Sequence, residues 1–355
     1  MDLTMDGRKV LPQPGQSLLE LVKQLGLDGS ALTKRPLAAK IAGEVFTLNY
    51  IPVRQKEAEA DRQSMRRAMA ASNGEIRLLR YADPAGKECY IRTAQFAIFL
   101  AMGQLWPEAT AKMTCTLGSS VYISVAGARD FSASTLKARV SELVGQDIPL
   151  IRRRVKLQKA IDRFREEGQT DKARLLSWRT VDYFDEYAYG DFADYYYGEM
   201  MPSTGYLTVW DILPADGGFV FVYPDDGNPE ICAKVPPMPN FFSVYNEGER
   251  WGELMECQTV ADLNDLTNSG RIRELIRVNE ALHEKRFSQV ADQVCQRGAK
   301  AVLLAGPSSS GKTTSANRLA TQLRVHGKKP ILMSLDDYYI DRDKIAPGPD
   351  GKLDL

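Results

Sequence analysis

Residues 301 to 314, AVLLAGPSSSGKTT, constrain what this chain can fold into more than any other stretch. Ala301 to Ala305 is a short apolar run of the kind that forms a buried parallel strand. Gly306-Pro307-Ser308-Ser309-Ser310-Gly311-Lys312-Thr313 then fits G-x-x-x-x-G-K-[ST], the pattern of a loop that cradles a triphosphate. Ala316, Leu319, Ala320 and Leu323 follow at helical spacing, and Gly327 supplies a stop. The residue types match the chemistry. Backbone N–H groups must converge on phosphate oxygens, so the loop uses small residues and glycines. The helix N-terminus adds partial positive charge, and Lys312 neutralises the β- and γ-phosphates. The Thr313 hydroxyl completes a Mg2+ shell. Gly306 to Thr314 are therefore the expected ATP-binding residues, with Lys312 also catalytic, Thr313 the metal-binding residue, and ATP and Mg2+ the implied cofactors.

A second apolar run, Pro330 to Leu335, enters Asp336-Asp337-Tyr338-Tyr339. In a parallel α/β sheet, ligands bind beyond the carboxyl ends of the strands, and a strand–helix–strand crossover brings consecutive strand ends to one rim. A carboxylate there can accept the proton of a hydroxyl attacking the γ-phosphate. Read from residues alone, the pair of motifs specifies an ATP-dependent phosphotransferase or hydrolase and no more.

Bulk properties exclude several alternatives. Lys plus Arg and Asp plus Glu both total 46 in 355 residues, so no global charge argues for nucleic acid or an anionic membrane. No apolar run nears the ~20 residues of a membrane span, and the N-terminus lacks a signal-peptide pattern. The five cysteines are scattered without a CxxC pair, which reads as reduced thiols in a cytoplasmic protein. Only two histidines, His283 and His326, are available to metal or acid–base sites. His283, without a nearby partner in sequence, reads as a surface or packing residue.

The N-terminal 55 residues read as a hairpin turning at Asp6-Gly7, a helix opened by the capping box Ser17-x-x-Glu20, and a second hairpin turning at Gly43. This order resembles the β-grasp TGS domain at the front of threonyl-tRNA synthetases. Residues 92–107, an apolar-faced helix ending in Gln-Leu-Trp106-Pro107, resemble the second additional, editing domain of the same family. There a helix carrying HxxxH and a later Asp-x-Cys-x-Gly-x-His surround the editing site. Aligned here, those positions hold Arg92, Phe96, Tyr196 and Met200. The resemblance thus implies a retained fold without the editing chemistry, since neither a metal nor an activated water finds its ligands.

Between these elements a basic segment, Arg152 through Arg179, precedes the acidic, aromatic stretch Asp182 to Glu199. The two are expected to neutralise one another, although an RNA-facing surface is the alternative. Val235 to Asn240, rich in proline, marks irregular backbone near a domain edge, and a long helix is expected from about residue 271 to Gly298.

GPSSSGKTT followed by SLDDYY resembles the phosphoribulokinase/uridine kinase branch of P-loop kinases. Its motif implies that Asp336 is the base for the acceptor hydroxyl and that Tyr339 lies on the acceptor side, both contacting substrate. The expected fold is an α+β N-terminal part followed by the start of an α/β P-loop kinase domain. The expected boundaries are 1–55, 56–255, a linker helix at 256–298, and 299–355. The resemblance implies Mg-ATP-dependent phosphoryl transfer to the 5′-hydroxyl of a nucleoside, uridine or cytidine. Only 44 residues follow Gly311, whereas such domains run to ~150–200 residues. The chain is therefore expected to be a fragment with impaired transfer. The alternatives are an RNA-binding or regulatory P-loop protein whose N-terminal modules contact tRNA or rRNA, and a P-loop NTP hydrolase.

Overall fold

Asp6 and Gly7 both adopt positive φ, 46° and 78°, the conformation a primed two-residue turn requires. They join β1 (Leu3–Met5) to β2 (Arg8–Val10), with Met5 opposite Arg8. Ser17 and Glu20 form the expected capping box at the start of α1 (Leu18–Gln24), and Leu18, Leu21 and Val22 bury its inner face. Ala42 and Gly43 turn β3 (Ala38–Ile41) into β4 (Glu44–Thr47). The sequence boundary at residue 55 is too early for this sheet. β5 (Glu75–Leu79) lies at its centre, parallel to β1 and antiparallel to β3, giving the order β2-β1-β5-β3-β4. Without β5 the two hairpins would present unpaired edges to each other.

The computed structural model describes residues 3–52, 74–237, 239–340 and 344–346; the portions 53–73 and 347–355 of the expected domains lie outside the described residues. The chain is mixed α+β with several small sheets, and it divides into two units, Met1–Ser243 and Val244–Leu355.

In unit 1 the helix expected at 92–107 begins earlier, as α2 (Pro84–Leu105), with Asp83 at the N-cap and Pro84 in the first turn, where its missing N–H costs nothing. Ten of its residues between Cys89 and Met102 are buried. They share one core with α3 (Ala133–Gly145) and with the sheet β11-β12-β7-β6, built from β6 (Thr110–Thr116), β7 (Ser120–Ala126), β11 (Asp211–Ala215) and β12 (Gly218–Val222).

A third sheet, β10-β9-β8, combines β8 (Arg152–Lys156), β9 (Tyr183–Tyr189) and β10 (Phe192–Asp194), with α4 (Leu157–Glu166) and α5 (Thr170–Ser177) between β8 and β9. The charge blocks meet across it. Arg154 lies opposite Asp185 and Arg153 opposite Glu186 in the ladder. Arg152 bridges Asp185 and Glu199, Arg153 and Arg163 both reach the fully buried Glu186, and Arg154 pairs with Asp185. The basic segment and the acidic stretch neutralise one another at these positions.

The proline-rich run is irregular over 233–237, and the unit boundary falls inside the following helix, α6 (Pro239–Leu254). Unit 2 continues with α7 (Val260–Asn268), α8 (Ile272–Gln296), which is the expected long helix ending before Gly298, and α9 (Lys312–Val325). α9 packs on α8 through the buried Ala291, Ala320 and Leu323. Glu284 of α8 pairs with Arg318 of α9 at 2.5 Å, and Asp292 pairs with His326 at 2.9 Å. Both helices advance in the same direction between these pairs, so they run parallel.

Two expected strands do not form. Neither Ala301–Ala305 nor Pro330–Leu335 enters a β-ladder, and Leu303 is 95% and Ile331 85% exposed. Parallel strands persist only when neighbours take up their backbone groups and helices cover both faces. Among the described residues neither condition is met here, so the α/β kinase domain expected from residue 299 is not shown. Among the described residues no helix is long and apolar enough to cross a membrane.

Candidate functional site

The phosphate-loop sequence folds into a preformed cradle. Gly311 is the N-cap of α9 with φ 80° and ψ 20°, a left-handed conformation that glycine adopts without the penalty a side chain incurs. Ser309 also takes a positive φ, 60°, which the sequence did not reveal. The Ser310 N–H donates to the Pro307 carbonyl at 3.3 Å, closing the turn. No side chain caps α9, so the N–H groups of its first turn stay available to a ligand, and the helix dipole favours an anion there. Ser309 to Thr314 line a cavity of about 260 Å³ at this end.

Lys312 is already inside the cradle. Its ammonium donates to the carbonyls of Gly306 (2.9 Å) and Pro307 (2.7 Å). The lysine is thus folded back over the loop, where a phosphate oxygen can replace a carbonyl as its acceptor. Thr313 and Thr314 are exposed on the first turn. The Thr313 hydroxyl is a side-chain oxygen in this turn that could help hold a hard cation.

Asp336 and Asp337 lie in a short 3-10 turn, Leu335–Tyr338. Asp336 and Tyr339 are exposed, and among the described residues no hydrogen bond or ion pair ties either side chain to the loop. The crossover argument for one shared rim operates on strands in one sheet, and neither flanking segment is in a ladder. The structure therefore assembles Gly306 to Thr314 but does not join Asp336 and Tyr339 to them.

In unit 1 the four positions aligned with the editing side chains do come together. Phe96 is fully buried, its ring 5.5 Å from that of Phe192 and 6.1 Å from that of Tyr196. Tyr196 in turn lies 6.4 Å from Tyr187. Burial pushes the Tyr196 phenol well above its usual pKa, so it stays neutral. Met200 is buried, and its N–H donates to the Tyr187 hydroxyl. Arg92 donates to the Glu199 carbonyl and pairs with Glu88 at 2.6 Å. Gly198 has φ +123°, and a β-carbon there would meet the Arg92 guanidinium at 2.7 Å. Aromatic rings, a thioether and a paired guanidinium supply no general base and none of the imidazole or thiolate ligands of the aligned motif.

No family model matches the chain. It is similar to the threonine–tRNA ligase of Halorhodospira halophila, 27% identical over 202 residues, which is 56% of this chain and 30% of that protein. The threonine–tRNA ligase of Symbiobacterium thermophilum is 25% identical over 209 residues, 58% of this chain and 29% of that protein. That of Aromatoleum aromaticum is 24% identical over 256 residues, 71% of this chain and 36% of that protein. Each match is longer than unit 2, so each takes in part of unit 1. The chain spans about a third of the length of these curated relatives, to which it bears a distant similarity.

Proposed function

We propose that unit 2 binds Mg-ATP through Gly306 to Thr314 and that the protein transfers the γ-phosphoryl group to a nucleoside 5′-hydroxyl. The observation that carries this reading is the cradle at the start of α9, with Lys312 held over it by two loop carbonyls. In this reading the first-turn N–H groups orient the phosphates, and Lys312 exchanges its carbonyl acceptors for phosphate oxygens. Thr313 would help hold Mg2+, which when bound would supply positive charge to offset that developing on the phosphoryl group. Asp336 takes the proton from the attacking hydroxyl, and Tyr339 packs against the acceptor. This role requires the segment after residue 330 to close toward the loop when substrate binds. Unit 1 is a TGS-like and editing-like part that has kept its fold without hydrolytic chemistry.

The test is Asp336→Asn in the full-length protein, with ATP and a panel of nucleosides, following phosphorylated nucleoside and inorganic phosphate separately. Loss of the base lowers nucleoside phosphorylation by ~10²–10⁴-fold. Unchanged phosphorylation removes Asp336 from the mechanism. Release of inorganic phosphate without phosphorylated nucleoside makes the protein a hydrolase instead.

The similarity to threonine–tRNA ligases favours a second reading, a regulatory RNA-binding protein whose unit 1 docks tRNA or rRNA. Arg152, Arg153 and Arg154 are all spent on carboxylates. That reading must therefore draw on other parts of the unit 1 surface. If it does not, charge reversal at these three residues, followed by RNA retention, will show it.

A further inference from the structure

From residue 293 to residue 335 the chain carries seven lysines and arginines and no aspartate or glutamate. Lys312 serves the loop and Arg318 is paired with Glu284. The other five are Arg297, Lys300, Arg324, Lys328 and Lys329. All five are exposed, and none makes an ion pair or side-chain hydrogen bond among the described residues.

The helix packing collects them. α8 and α9 run parallel, and Asp292 to His326 fastens the end of one to the end of the other. Arg297 lies about 8 Å of helical rise beyond Asp292, and Arg324, Lys328 and Lys329 flank His326. The one carboxylate in this region, Asp292, already faces His326. Cations at a helix C-terminus often just complement the dipole. Two helix ends supply roughly one negative charge between them, and Asp292 supplies another, against five positive charges. Complementing the dipoles therefore leaves about three positive charges unanswered.

We propose that this blunt, basic end of the α8–α9 pair is a docking surface for the phosphate backbone of RNA. The proposal rests on unit 2 alone and on neither reading above. The five side chains line neither cavity found among the described residues, and none of them is an aromatic stacking partner, so the contact is electrostatic and sequence-tolerant. An anionic lipid surface is disfavoured because it binds along the length of an amphipathic helix, whereas here the charges sit at the tips of two helices, with Val325 and Ile331 exposed among them.

The experiment is fluorescence anisotropy of a labelled oligouridine of about 20 nucleotides against the full chain, across salt from about 50 to about 200 mM. Five neutralised phosphates give a slope of log affinity on log salt of about −3.5, a fall of about 10²-fold over that range. Replacing all five cations by alanine abolishes binding. Single alanine variants, which keep the fold if the fivefold variant does not, each flatten the slope by about 0.7. The proposal is overturned if the wild-type chain does not bind at the lowest salt. It is equally overturned if the alanine variants keep the full slope, or if phosphatidylserine vesicles are retained where RNA is not.

Discussion

Lys312→Met is the sharpest probe of the loop, because it removes the ammonium and keeps the length and apolar stem of the side chain. In the free protein the ammonium makes two exposed bonds to neutral carbonyls at 2.9 and 2.7 Å. Solvent competes for both, so each is worth about 1 kcal/mol. Bound to a triphosphate, the same group would make charge-assisted bonds to the β- and γ-oxygens, about 1.5–3 kcal/mol each. The exchange of two weak bonds for two stronger ones leaves about 1–4 kcal/mol of binding to lose. That is about 5- to 800-fold in dissociation constant. Isothermal titration calorimetry with ATP, with and without Mg2+, measures it directly. AMP is the internal control, because it has no β- or γ-phosphate for the lysine to reach. Stability should change by no more than about 0.5 kcal/mol, as for other exposed substitutions. A Met variant that binds ATP as tightly as the wild type, or that loses AMP and ATP equally, would refute the assignment of the β- and γ-phosphates to this cradle.

Other consequences concern unit 1. Phe96→Ala removes a fully buried ring from the Phe192–Tyr196 cluster and should cost about 3–5 kcal/mol in urea unfolding; a cost under 1 kcal/mol would mean the cluster is not packed. Gly198→Ala forces a side chain into φ +123° against the Arg92 guanidinium, and should destabilise by about 1–3 kcal/mol. Adding Arg92→Ala should recover only the steric part of that loss. Asp185 is held below its ordinary pKa first by the hydrogen bond from Arg154; burial opposes this, and Arg152 adds to the lowering. Its contribution to stability is complete above the unfolded value of about 3.9 and fades as pH falls through the lowered folded value. Asp185→Asn should therefore be less stable than wild type at neutral pH, with the gap closing below about pH 4. A gap that is constant with pH would show that the arginines gain nothing from this carboxylate.

Local chemistry was legible in the sequence wherever neighbouring residues decide the outcome. Asp6-Gly7 announced its turn, Ser17 and Glu20 their capping box, and Gly311-Lys312 the start of α9, because each depends on contacts within four residues. The pairing of Arg152 to Arg154 with Asp185 and Glu186 was legible as opposed charge blocks, although the ladder that aligns them was not. What the sequence concealed was long-range. β5 completes a sheet from residues that carry no signal of belonging to the first 55, because a central strand is defined by its partners. The same physics misled in the opposite direction at Ala301–Ala305 and Pro330–Leu335. An apolar run states a preference for burial, and without neighbours to form a ladder the preference goes unmet. The site followed suit. The turn at Gly311 and the helix it opens were readable, while the relation of Asp336 to the loop depends on a sheet that the sequence presupposed.

In the two proposals α9 carries an anion site at each end, and its length decides whether they can interfere. Fourteen residues separate the cradle from the basic tip, about 21 Å along the axis. In water a unit charge pair at that distance interacts by about 0.2 kcal/mol before screening. A Debye length of about 10 Å at 0.1 M salt cuts this by nearly another factor of ten. Even several charges at each end therefore sum to no more than a few tenths of a kcal/mol. The macrodipole does not relay more, since its effect is confined to the first and last turns. A triphosphate at the cradle and a polyanion at the tip can thus be held together without electrostatic competition. Any stronger coupling between them would have to be mechanical, a shift of α9 against α8 through Ala291, Ala320 and Leu323, where small buried side chains leave little room to slide.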